Sequence, residues 1–247
     1  MSDSATATPT RRSGAKATTK RTPDTYWLLE GATLLLLNAL GGLYVIGTEN
    51  VPDYGPVLMV SNHISYLDPV AIGDASPRRV VFMAKAQLFD VKPLGYLLRG
   101  VDSFPVKRGE ADRSAFKNTL AMIAEERCVC IFPEGTRVMD GELGEAESGA
   151  GVFATRTGCP VVPVYVHNTN KMLDYKGKLH RAPVTVVFGQ PFRLPKEMDK
   201  EVAGREMMAA IARTRESFAA TPSAYRRRIR PHWITKPLEG SRRKSGG

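Results

Sequence analysis

The architecture of this chain is announced by Val57-Leu58-Met59-Val60-Ser61-Asn62-His63-Ile64-Ser65-Tyr66-Leu67-Asp68-Pro69. Four consecutive apolar residues run into small polar ones, and a proline then marks a helix start. A continuous apolar run bounded by turn residues predicts a strand covered on both faces. Polar groups just past such a strand stand where open α/β sheets expose reactive side chains.

The same pattern recurs further along the chain. Val80-Val81-Phe82-Met83, Cys128-Val129-Cys130-Ile131-Phe132, Val161-Val162-Pro163-Val164-Tyr165-Val166 and Val184-Thr185-Val186-Val187-Phe188 read as four further strands. Helical periods lie between and after them. Phe116, Leu120 and Ile123 recur behind Asp112, a residue suited to capping, and Met207, Ile211, Thr214 and Phe218 recur ahead of Pro222. Alternating strands and helices predict one α/β domain with a mostly parallel central sheet flanked by helices. The Gly149-Ala150-Gly151 stretch after Ser148 predicts close packing at a helix start.

The flanks differ from this body. The chain of 247 residues carries a net charge of +10, and its two ends supply that excess. Residues 1–25 contribute +3 through Arg11, Arg12, Lys16, Lys20 and Arg21 against Asp3 and Asp24. Residues 222–247 contribute +7 through Arg226, Arg227, Arg228, Arg230, Lys236, Arg242, Arg243 and Lys244 against Glu239. Positive and negative charges balance between them. A disordered basic arm is expected over residues 1–25 and a basic tail over 222–247, with Trp233 as an aromatic anchor.

From Tyr26 to Gly47 the only charge is Glu30. This stretch is read as an apolar membrane-associating helix over residues 26–47. The uncharged stretch from Gly31 to Thr48 sits at the lower edge of the ~17–25 residues a spanning helix needs, and Gly41-Gly42 interrupts it. Tyr26-Trp27 beside a basic arm suits an interfacial position, so a monotopic or peripheral placement on an anionic membrane is expected. A core helix and a short span are the alternatives. Nothing at the start reads as a secretory signal. The three cysteines make no disulfide framework, in keeping with a reducing compartment.

Two clusters carry chemistry. In the first, Asp68 follows His63 by five residues, and its carboxylate can bend back to the imidazole, fixing the tautomer and sharpening the other nitrogen as a base. Spacing alone equally allows Asp68 to be a helix-capping carboxylate. The second is Phe132-Pro133-Glu134-Gly135-Thr136-Arg137. Here Gly135 permits close backbone approach, Thr136 offers a hydroxyl and Arg137 a planar fork suited to phosphate. A surface turn is the alternative. Lys85 and the Phe104-Pro105-Val106-Lys107-Arg108 step add candidate cations. No nucleophile elbow, P-loop, dinucleotide fingerprint or metal-ligand spacing is present, and no stacking aromatics interleave the basic residues as single-stranded nucleic acid would require.

Together the clusters resemble the glycerophospholipid acyltransferase family, which includes the 1-acylglycerol-3-phosphate acyltransferases. Asn62-His63-x4-Asp68 is similar to its first motif and Phe132 to Arg137 to its third. Phe104-Pro105-Val106-x-Arg108 is similar to the second, with Ser103 where the family often has glycine, and Val161-Val162-Pro163-Val164 to the fourth.

The resemblance implies an acyltransferase domain over residues 48–221 on the cytoplasmic face of the membrane. It implies acyl transfer from acyl-CoA or acyl-carrier protein to a lysophosphatidic acid-like acceptor, with no other cofactor and no metal. His63 would be the general base and Asp68 its partner. Lys85, Arg108, Glu134, Gly135, Thr136 and Arg137 would bind substrate, the arginines taking the acceptor phosphate, and backbone N–H groups near Gly135 would receive the oxyanion. Glycerol 3-phosphate, another lysophospholipid or a glycolipid are alternative acceptors. From a different class, a basic membrane- or nucleic-acid-binding protein is the rival, which the neutral body disfavours.

Overall fold

The computed structural model describes residues 25–90, 92, 95, 98, 103–106, 113–138, 141–147 and 149–229; for 25–28, 84, 85, 88, 104–106 and 113–115 it describes the backbone only. Eight strands form one sheet: β1 (Leu43–Ile46), β2 (Val57–Ser61), β3 (Val80–Lys85), β4 (Phe104–Val106), β5 (Cys128–Ile131), β6 (Val161–His167), β7 (Val184–Phe188) and β8 (Arg227–Arg228). Their order is β4-β3-β5-β2-β6-β7-β1-β8. The five strands from β4 to β6 run parallel, β7 is antiparallel to β6, β1 is parallel to β7, and β8 is antiparallel to β1. The expected strands all form, in a sheet parallel through its middle.

Two apolar layers explain why the strand sequences are continuously hydrophobic. On one face, Val57, Met59, Val162, Val164, Val184 and Phe188 pack beneath α1 (Thr25–Ala39) and α2 (Asp68–Ala75). On the other, Leu58, Val60, Val129, Ile131 and Val161 pack beneath α3 (Arg113–Ala124), α4 (Val152–Thr157) and α6 (Lys200–Ala220). Burial on both faces removes the polar alternation of a half-exposed strand. α6 supplies Met207, Ile211 and Phe218, and Asp199 caps it by accepting the N–H groups of Glu201 and Val202. Ahead of α4, a Cβ at Gly151 would overlap the Lys200 carbonyl, the close packing expected there. The fifth helix, α5 (Thr169–Met172), is one turn at the end of β6.

The N-terminal apolar segment departs from expectation. The helix stops at Ala39, well short of residue 47, and Leu43–Ile46 pairs with β7 as a sheet strand. Gly41 and Gly42 have φ of +137° and +100°, conformations open to glycine, and a Cβ at Gly41 would overlap the Ala182 carbonyl. Beyond this break, Tyr44-Val45-Ile46 favours a strand. α1 buries Leu34 and Leu37 against the sheet and leaves Ala32, Leu35, Leu36 and Ala39 exposed along its outer side. None of the described helices is long and apolar enough to cross a membrane.

The C-terminal boundary also moves. Residues expected in the tail from 222 onward instead add β8 to the sheet, where Arg228 bonds Asn38 through Nε to Oδ1 (2.9 Å) and through a guanidinium N–H to the carbonyl (3.0 Å). The sheet therefore extends beyond the 48–221 domain at both ends. The arm over residues 1–24, Asp112, Ser148, Trp233 and His232 lie outside the described residues.

Candidate active site

β2 ends at Ser61, and the next side chain continues its pairing in place of backbone. Asn62, 1% exposed, donates from Nδ2 to the Val166 carbonyl (3.0 Å) and accepts the Val166 N–H at Oδ1 (2.7 Å). Tied to β6 in this way, the chain can turn away from the sheet at a fixed point. The turn then wraps around one carboxylate oxygen. Asp68 Oδ2 accepts the N–H groups of Ile64 (2.7 Å) and Ser65 (2.8 Å), and lies 2.8 Å from His63 Nδ1. The turn-organising and histidine-orienting readings of Asp68 are thus both satisfied by the same oxygen.

Asp68 is fully buried, and its second oxygen accepts the hydroxyl of Thr169 at 2.5 Å. Four donors aim at this carboxylate, which compensates its loss of water. With Nδ1–H donated to Asp68, a neutral imidazole carries its lone pair on Nε2. The His63 side chain keeps 18% exposure, and no partner takes Nε2 among the described residues. Phe132 stacks on the ring, centroids 4.1 Å apart and planes 20° from parallel.

The Phe132–Arg137 segment follows β5 and grips the His63 backbone from both sides. Glu134, 4% exposed, accepts the His63 N–H at Oε2 (2.7 Å) and the Gly144 N–H at Oε1 (3.0 Å). The Val138 N–H in turn donates to the His63 carbonyl (2.8 Å). Burial pushes the Glu134 carboxyl above its ordinary range, partly offset by these two N–H donors. Gly135 sits at φ +62°, where a Cβ would overlap the Glu147 carboxylate. Arg137 lays its guanidinium over the Tyr66 ring, 3.6 Å from the centroid, beside the histidine turn.

His63, Asp68, Glu134, Gly135 and Arg137 therefore converge where β2 and β5 end, and Thr136 is exposed on the same turn. The side chain of Lys85 and all of Arg108 lie outside the described residues. One expectation is corrected. The N–H groups of Gly135 and Thr136 already donate to the carbonyls of Phe132 (3.0 Å) and Glu134 (2.7 Å), because the turn closes on itself. They are not free to receive an oxyanion.

Sequence reasoning missed Thr169, which lies 101 residues from Asp68 and acquires its role only when β6 is placed beside β2. It also missed Val138, whose N–H holds the His63 carbonyl, whereas a loop-positioning role for Glu134 follows from the sequence reading. The other described histidines stand apart: His180 pairs with Asp174 on the surface at 2.9 Å, and His167 packs against Phe218, where burial lowers its pKa. Burial pushes the Cys128 thiol up to about 12 and Cys130 well above its ordinary value, so neither is poised as a thiolate nucleophile. No cluster of three or more histidine, cysteine or acidic residues that could hold a metal occurs among the described residues.

The described residues thus hold His63 against the buried Asp68, with Phe132 stacked on the ring and Arg137 over the adjacent Tyr66. The Acyltransferase family profile matches residues 42–167, and the chain belongs to that family. Its relatives are more narrowly described. A chloroplastic 1-acyl-sn-glycerol-3-phosphate acyltransferase of Brassica napus is 31% identical over 150 residues, covering 59% of this chain and 43% of that one. The 1-acyl-sn-glycerol-3-phosphate acyltransferase of Bacillus subtilis is 29% identical over 169 residues, covering 67% and 81%. The chain spans less than half the length of the plant relatives it matches. The crystal structure of the 1-acyl-sn-glycerophosphate acyltransferase of Thermotoga maritima shares the fold, with a TM-score of 0.64 and 22% identity over 79% of this chain and 81% of that one.

Proposed function

We propose that the protein transfers a fatty acyl group from acyl-CoA or acyl-carrier protein to the free hydroxyl of a lysophosphatidic acid-like acceptor, giving phosphatidic acid. The observation that carries this reading is the 2.8 Å pairing of His63 Nδ1 with the buried Asp68, which leaves Nε2 as the basic nitrogen. Neutral His63 takes the acceptor's hydroxyl proton at Nε2 as the oxygen attacks the thioester carbonyl carbon. Asp68 holds the tautomer and stabilises the imidazolium. When the tetrahedral adduct collapses, the C–S bond breaks and the imidazolium returns its proton to the departing thiolate. No covalent acyl-enzyme is needed.

Arg137 receives the acceptor phosphate, steadied by Tyr66, with Arg108 and Lys85 as further cations for it. Glu134 shapes the loop and takes no part in proton transfer. The outer apolar stripe of α1 and the basic residues of the chain's ends support a monotopic or peripheral position on the cytoplasmic face of an anionic membrane. The test is an acyl-transfer assay on purified protein across lysolipid acceptors and both donor types, with His63→Ala alongside. Phosphatidic acid formation should vanish in that variant while the fold, followed by circular dichroism, persists; continued turnover would overturn the mechanism.

A further inference from the structure

The strand directions collect an unusual set of surface groups at one edge of the sheet. β2, β5 and β6 end there, and β7 and β1 begin there, because β7 is antiparallel to β6 and parallel to β1. The His63 and Glu134 turns stand on this edge. So does the hairpin between α5 and β7, which closes through the Leu173–Leu179 bridge.

This hairpin is built onto the site itself. Thr169, at the start of α5, holds Asp68, and the Ser65 hydroxyl reaches the Leu173 carbonyl at 3.4 Å. Tyr175 follows two residues later, within about 7 Å of Leu173 along an extended chain.

The tip is hydrogen-bonded within itself and exposed. Asp174 Oδ1 accepts the N–H groups of Lys176 and Lys178, both at 2.9 Å, while its Oδ2 pairs with His180. With its one acid so engaged, the hairpin presents Lys176, Lys178 and Arg181, with Lys171 beside them. Between these cations Tyr175 is 73% exposed and Leu179 49%.

The other large exposed apolar groups say which surface this is. Tyr66 stands at the same edge beside His63, and α1, which carries exposed Leu35 and Leu36, ends there where the Leu40 carbonyl accepts the Ala182 N–H at 2.8 Å. Tyr54, ahead of β2, and Tyr225, ahead of β8, are the exceptions at the far edge. At the near edge the Ile229 N–H donates to the Leu43 carbonyl, which ties β8 to the start of β1. Aromatic and aliphatic groups set among lysines match the headgroup zone of an anionic bilayer, where amphipathic rings settle and ammonium groups meet phosphate.

We propose that the Leu173–Leu179 hairpin is a bilayer-contacting element that seats the His63 site on an anionic leaflet, with Tyr175 and Leu179 entering the headgroup layer and Lys176 and Lys178 pairing with lipid phosphates. It deepens the proposed function and rests on that reading for the fate of the acceptor. Contact at this edge lets an acceptor hydroxyl reach His63 without its acyl chain leaving the lipid.

The experiment uses the full chain and two vesicle types, phosphatidylcholine alone and phosphatidylcholine with phosphatidylglycerol. The double variant Tyr175→Ser with Leu179→Ser should lower partitioning to both types roughly tenfold. Lys176→Glu with Lys178→Glu should lower it by a similar factor on the anionic vesicles alone. Because α1 also offers an apolar stripe, a local readout is included: Tyr175→Cys carrying an environment-sensitive fluorophore should be quenched by headgroup-attached quenchers.

Unchanged partitioning in both double variants, or a label that stays unquenched on vesicles, overturns the proposal. So does loss of acyl-carrier protein binding with vesicle binding intact, which would make the hairpin a donor site. In turnover assays, the Tyr175→Ser, Leu179→Ser variant should lose activity on vesicle-embedded acceptor and keep it on a monomeric short-chain one. If the unaltered chain acylates neither, the proposed function fails, while partitioning and quenching still decide the hairpin's role.

Discussion

Replacing Glu134 by glutamine separates a brace from an acid. Its two carboxylate oxygens accept two different backbone N–H groups, those of His63 at 2.7 Å and Gly144 at 3.0 Å, in a site 4% exposed to solvent. A glutamine has one oxygen and one NH2. Whichever way the amide is turned, its NH2 faces a buried N–H, and one hydrogen bond is lost outright. A bond to a charged acceptor is worth about 1.5–3 kcal/mol, and a buried donor left unpaired costs about 1–3 kcal/mol. Part of that is returned, because burial already disfavours the charge, as the raised Glu134 pKa reports. A net loss of about 2 kcal/mol is expected, which lowers the melting temperature by roughly 4–8 °C for a domain of this size.

With the amide nitrogen turned toward His63, the His63 backbone keeps its carbonyl bond to Val138 alone; turned toward Gly144, it unpins the 144 loop against which the glutamate side chain is braced. A displacement approaching 1 Å costs up to about a hundredfold in rate, so kcat should fall at least tenfold. Thermal denaturation and steady-state acyl transfer on the same preparation give the two numbers. Abolished turnover with an unchanged melting temperature would make Glu134 a proton-transfer group and refute the bracing argument. No change in either would refute the hydrogen-bond accounting.

Thr169→Val should leave the buried Asp68 Oδ1 without its donor, lowering stability by about 1–3 kcal/mol and kcat by roughly tenfold, with Thr169→Ser restoring both; denaturant titration and turnover measure this. Arg137→Ala should raise the apparent KM for the acceptor much more than that for the donor in initial-rate kinetics; an equal rise would remove its assignment to the acceptor phosphate. Asp74→Asn tests the packing of α1 on α2. Burial raises the Asp74 carboxyl to about 8, opposed by the Thr33 hydroxyl and reinforced by Glu30. The unfolded chain ionises near pH 3.8 and the folded one only near 8, so the native protein loses stability as pH rises between them. By pH 7 the loss is on the order of 4 kcal/mol. An amide at this position does not ionise and escapes that loss. The excess stability of the Asp74→Asn variant should therefore grow from pH 4 to pH 8, and parallel stability–pH curves would sink the assignment.

The strands were legible because each is buried on both faces, and that burial writes itself into sequence as an unbroken apolar run. Helices α3 and α6 were legible for the matching reason, one apolar side repeating at helical spacing. The His63–Asp68 pair was legible as well, since both residues belong to one turn and five residues of separation suffice to close it. The apolar stretch after Tyr26 was less so. Hydrophobicity marks what must leave water, whether for a protein core or for lipid, and one uncharged run became both a helix and a sheet strand once Gly41 and Gly42 broke it.

Neighbours along the chain thus set the α/β alternation, the histidine–carboxylate turn and the Phe132–Arg137 turn, and all three are legible in the sequence alone. Long-range packing settled that Thr169 faces Asp68, that Glu134 and Val138 clamp the His63 backbone, that Arg137 lies over Tyr66, and that the 173–179 hairpin shares their edge. These are contacts between residues far apart in sequence, and no local propensity encodes them. They exist because parallel pairing brings the ends of β2, β5 and β6 to one edge of the sheet.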